Sequence, residues 1–74
     1  MRLATTADAP ALERLAELDQ KAQPAGPVLI GSLMARPVAA LSLADGRVVA
    51  DPFTPTCELI ELLRLRARQM RHAA

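Results

Sequence analysis

The sequence predicts an α+β fold of order β-α-β-β-β-α, an antiparallel meander packed by two helices. Two segments, one toward each end of the chain, repeat Leu, Ala and Ile at helical spacing opposite charged residues. Between them lie three short runs rich in Val, Leu, Ile and Ala, each of strand length. Turn-sized segments separate these runs, and one of them contains the hairpin dipeptide Asp45-Gly46.

In order, Arg2 to Thr5 alternates apolar and polar residues and reads as an edge strand. Two helix starts then overlap: Thr5 with Asp8 approximates a capping box, and Asp8 followed by Pro10 is a second start. From Ala11 to about Gln20, Ala11, Leu12, Leu15, Ala16 and Leu18 share one arc, and Glu17 precedes Lys21 at the favourable spacing of four. Pro24-Ala25-Gly26-Pro27 ends the helix.

Val28 to Leu33 and Val38 to Leu43 read as strands, the second apolar on both faces and therefore central. The Met34-Ala35 turn between them is expected to be wider than two residues, because Ala at positive φ is unfavourable. A two-residue Asp45-Gly46 turn leads into a further strand, Arg47 to Asp51. Thr54 as cap and Pro55 as first helical residue start the last helix, which runs to about Arg71. Leu59, Ile60, Leu62, Leu63, Ala67 and Met70 form its apolar face, with Arg66 projecting near the middle of that face.

Seventy-four residues make one domain, 1–74. A chain of this size buries only ~60% of the surface it exposes unfolded, and small scaffolds gain stability from a metal, disulfides or oligomerisation. Cys57 is the only cysteine, and the only histidine, His72, has no Cys or His near it in sequence, so neither a disulfide within the chain nor a metal site is expected. Self-association remains. A hydrophobic fraction of 51% excludes a disordered tail, and a single aromatic, Phe53, argues against base stacking. The net charge of +1 gives no field toward nucleic acid or an anionic membrane. Eight of the nine basic residues are Arg and Ala is abundant, the codon bias of a GC-rich bacterial genome. The N-terminus carries no apolar core of a secretory signal. The longest apolar stretch, from Val28 to Ala35, falls far below the ~18 residues of a membrane span, so the expected location is the cytoplasm.

Arg2-Leu3-Ala4-Thr5-Thr6-Ala7-Asp8 resembles the opening strand and helix of GNAT-family acetyltransferases, which often begin Arg-x-Ala-Thr-x-x-Asp. Arg36 to Leu43 is similar to that family's third strand, Asp45 to Phe53 to its fourth, and Leu59 to Met70 to the helix after it. The likeness rests on pattern and order across nearly the whole chain, and it implies the front half of a GNAT-like fold. In that family a Gln/Arg-x-x-Gly-x-Gly/Ala loop follows the fourth strand and offers backbone N–H groups to the pyrophosphate of CoA. Here that place holds Pro52-Phe53-Thr54-Pro55-Thr56-Cys57, without glycine and with two prolines that lack an N–H. The segment from Gln20 to Pro27 is too short for the family's second helix, and the family continues with strands and a helix beyond the point this sequence reaches. No acetyl-CoA and no other cofactor is therefore expected.

Thr54, Thr56 and Cys57 form a possible anion site at a helix N-terminus. The plainer roles are helix capping for the threonines and a small buried hydrophobe for Cys57. Arg64, Arg66, Arg68 and Arg71 offer cations to a phosphate backbone, or simply form a solvated face. No catalytic set emerges from Asp51, Glu58, Glu61 and His72. Val48, Val49 and Ala50 are expected at an open sheet edge and, with Arg66, make a candidate self-association surface. The functional expectation is a non-catalytic GNAT-like interaction module, a homodimer or a protein's partner. The alternatives are an acetyltransferase or CoA-binding protein assembled across a dimer or with a second subunit, and a nucleic-acid-associated protein using the Arg-bearing helix.

Overall fold

A computed structural model describes residues 1–24 and 26–72, and the side chains of Arg71 and His72 lie outside that description, so the expectations placed on them do too. The elements run β1 (Arg2–Leu3), a 3-10 turn (Thr6–Asp8), α1 (Ala9–Leu18), β2 (Val28–Leu33), β3 (Arg36–Ser42), β4 (Val48–Ala50) and α2 (Cys57–His72). The expected order holds. All strand pairs are antiparallel and the sheet runs β1-β2-β3-β4, with β3 inside it as expected.

Strand alternation divides the core into two halves. Val28 and Ile30 of β2, Ala40 of β3 and Val49 of β4 pack on Leu12, Leu15 and Ala16 of α1. Leu29 of β2 and Ala39 and Leu41 of β3 point the other way and pack on Leu63 and Ala67 of α2. The helices thus cover opposite faces of one sheet. α2 lies over β2 and β3. Its approach to β2 depends on Gly31, where an added Cβ would fall 2.8 Å from Leu59 Cγ and Cδ2.

Both hairpin expectations are reversed. The β2–β3 connection is a two-residue turn, with Met34 at φ 51° and Ala35 at φ 66°, so two ordinary L-residues hold the left-handed conformation. The twist of the flanking strands selects that turn over a wider one. At the Asp45-Gly46 turn only Gly46 has positive φ, at 75°. A tight turn of the expected kind needs both central residues there. Instead Ser42 and Arg47 close a four-residue loop through Ser42 N–H to Arg47 O at 2.8 Å, while Asp45 Oδ1 accepts the Arg47 N–H at 3.0 Å.

α1 starts two residues earlier than the periodicity indicates, because the 3-10 turn carries the chain into it. Its end is a Schellman motif: Lys21 N–H bonds Ala16 O at 3.0 Å and Gln20 N–H bonds Glu17 O at 3.2 Å, with Gln20 at φ 53°. Lys21 therefore leaves the helix and meets Asp19 at 3.2 Å, not Glu17. α2 starts at Cys57, with Thr56 O accepting the Ile60 N–H at 2.8 Å. Thr56, not Thr54, is the cap residue. Between β2 and β3 the register shifts, Gly31 facing Ala39 but Ser32 facing Pro37, so Val38 is an extra residue on β3.

Candidate interaction surface

The turn ahead of α2 is organised by a carboxylate. Asp51 is buried; its Oδ1 accepts the Phe53 N–H at 2.8 Å and its Oδ2 accepts the Thr54 hydroxyl at 3.1 Å. Arg14 of α1 approaches the same carboxylate at 3.7 Å. The Thr54 hydroxyl, a candidate for either an anion site or a helix cap, is thus committed to a negative group of the chain itself. Cys57 is exposed and is no core hydrophobe, since the side of α2 that carries it turns away from the sheet. Thr54, Thr56 and Cys57 lie close in sequence ahead of and at the start of α2, and of the three only Thr54 is bonded to the Asp51 carboxylate.

The β4 edge is more protected than its sequence suggests. The bonds from Ser42 N–H to Arg47 O and from Asp51 N–H to Val38 O fix the side of β4 that faces β3, so Val48 and Ala50 turn their backbone groups outward. Two of those groups are met by side chains from the end of α1. The Ala50 N–H donates to Asp19 Oδ2 at 3.2 Å, and Lys21 Nζ donates to Val48 O at 3.4 Å. Val49 is buried against α1, and Val48 and Ala50 are half-buried. Beside this edge runs an open groove of about 450 Å³ bordered by Lys21, Arg47, Val48 and Arg64. Arg68 joins Arg64 on an adjoining hollow over Leu41 and Gly46.

Arg66 does not belong to this edge. Arg64, four residues after Ile60, lies on the flank of α2 toward β4, whereas Arg66 lies with Leu59 and Leu62 on the flank toward β2 and β1. Arg66 is exposed, off the centre of the apolar face, and Leu62 is 52% exposed instead of buried. The buried stripe is narrower than the wheel indicates and centres on Leu63 and Ala67.

Apolar side chains on the α2 side of the sheet also remain exposed. Leu3 pairs with Leu29, so both face the α2 side, as does Leu33, two strand steps beyond. Yet Leu3 is 49% exposed and Leu33 43%. Leu62 and Leu65 of α2 are exposed as well, in a stretch of the helix flanked in sequence by Glu58 and Arg66. Arg66 signals the site in sequence, as a charge that an apolar helix face does not explain. Leu3 and Leu33 carry no such signal, because their exposure depends on where α2 lies.

No family model, no curated protein and no solved structure matches this chain. Among the described residues no cluster of His, Cys, Asp and Glu has the makings of a metal site, and no helix is long and apolar enough to cross a membrane.

Proposed function

We propose that this chain is a non-catalytic, GNAT-like interaction module that associates with a second copy of itself. One observation carries the reading: Leu3 and Leu33 on the α2 side of the sheet, and Leu62 on α2 itself, stay exposed. A partner that buries these side chains would gain a hydrophobic contact. The GNAT-like part of the reading rests on element order and on the Arg2 to Asp8 segment. The non-catalytic part rests on the Asp51 carboxylate and the prolines Pro52 and Pro55, which stand where a CoA pyrophosphate would need free N–H donors.

Sedimentation equilibrium across the micromolar range tests the association, and a chain that stays monomeric throughout removes it. Calorimetry with acetyl-CoA tests the second half of the reading. The expected result is no saturable heat, and micromolar binding would reinstate a CoA-dependent enzyme.

A second reading follows from the groove beside β4. Lys21, Arg47, Arg64 and Arg68 border it and its neighbour, which favours a phosphate-bearing partner such as nucleic acid. Asp19 and Asp45 offset two of these cations, at 3.2 Å from Lys21 and 3.5 Å from Arg47. Retardation of DNA or RNA that weakens steeply with salt would support it; no retardation at low salt would exclude it.

A further inference from the structure

The self-association reading rests on exposed leucines, and the charge pattern of α2 orients two copies about them. Resting on that reading, we infer that two copies pair through α2, antiparallel about a two-fold axis at Leu62, with Glu58 of each copy against the partner's Arg66. Glu58, Leu62 and Arg66 follow one another at intervals of four, so they form one row along the helix. All three are exposed, and neither Glu58 nor Arg66 joins any of the ion pairs formed within the described residues.

Symmetry makes the spacing decisive. In a two-fold contact centred on Leu62, the residue four before it meets the residue four after it in the other copy. Glu58 thus faces the partner's Arg66, and Arg66 faces the partner's Glu58. A parallel pair would set like charge against like at both positions, which disfavours that alternative. Leu65, one turn on from Leu62, is exposed too and extends the apolar contact. Strand addition at β4 competes poorly, because Asp19 and Lys21 already occupy two of its outward backbone groups.

Charge swapping tests the surface. Sedimentation of the full chain should show a dimer, weakened roughly tenfold or more by Arg66→Glu, because each substitution turns two attractive pairs repulsive. Glu58→Arg should weaken it to a similar degree. The doubly swapped chain, Glu58→Arg with Arg66→Glu, should recover wild-type association. Circular dichroism of each variant keeps folding apart from pairing, and all these positions are exposed. A wild-type dimer that neither single swap weakens, or that the double swap does not restore, overturns the α2 pairing while leaving self-association in place. A wild-type monomer overturns both.

Discussion

Asp8 ties the start of the chain to the start of α1. Its carboxylate takes both arms of the Arg2 guanidinium, at 2.6 and 2.7 Å, and accepts the Thr5 N–H at 2.7 Å. The hydrogen bonds from Arg2, and then that from Thr5, hold its carboxyl well below the usual carboxylate range. A lowered folded-state pKa means that the contribution is complete above the unfolded value of about 4 and is lost as pH falls below it. Asp8→Asn should therefore be less stable than wild type at neutral pH, with the gap narrowing below about pH 4. Urea unfolding at neutral and acid pH measures it, and a gap that stays constant would sink the assignment. The Thr5–Asp8 part of this cluster was legible as a capping spacing; the Arg2 pairing was not, because it requires β1 to lie beside the helix start. Met34 and Ala35 make a second residue-scale case. An L-residue in the left-handed region costs about 1–2 kcal/mol, against the ~0.4–1 kcal/mol that glycine loses through its freer unfolded chain. Met34→Asn with Ala35→Gly should stabilise the protein by about 1 kcal/mol, raising its thermal midpoint by about 4–8 °C. An unchanged or lower midpoint would contradict the turn described.

At the scale of elements, the close packing of α2 on β2 decides which face of the helix is buried. The sequence placed both helices and all four strands, because periods of 3.6 and 2 are local properties. It could not place Leu62, since six apolar residues span a wider arc than one sheet can cover. The choice among them falls to Gly31, whose missing side chain admits Leu59. Gly31→Ala would bring a methyl to 2.8 Å from Leu59 Cγ, so the whole end of that side chain must move. The expected cost is about 1–3 kcal/mol. In a Leu59→Ala background the same substitution should cost less, with a coupling of about 1 kcal/mol. Denaturant unfolding of the four proteins completes the cycle, and additive costs would mean that Leu59 does not press on Gly31. The loop after β4 shows the same limit of local signals. Thr54-Pro55 has the composition of a helix start, but the buried Asp51 carboxylate claims the Thr54 hydroxyl and delays the helix to Cys57.

For the whole molecule, the ends of the sheet are closed in different ways. β1 is only two residues long and offers little to a new strand. β4 is guarded from across the fold, by Asp19 and Lys21 delivered from the Schellman turn that ends α1. Neither guard was visible in sequence, because a residue at a helix end reveals its target only once the helix is docked on the sheet. The guards make a prediction separate from α2 pairing. Asp19→Ala with Lys21→Ala leaves the outward groups of Val48 and Ala50 open, and exposed edges of that kind recruit further chains. Sedimentation should then show species heavier than those of wild type, growing with concentration. Because these would form through the sheet and not the helix, adding Arg66→Glu should not abolish them. A double-alanine variant that stays folded by circular dichroism and keeps the wild-type mass would show that β4 is closed by its shortness and burial alone, with the two side chains incidental.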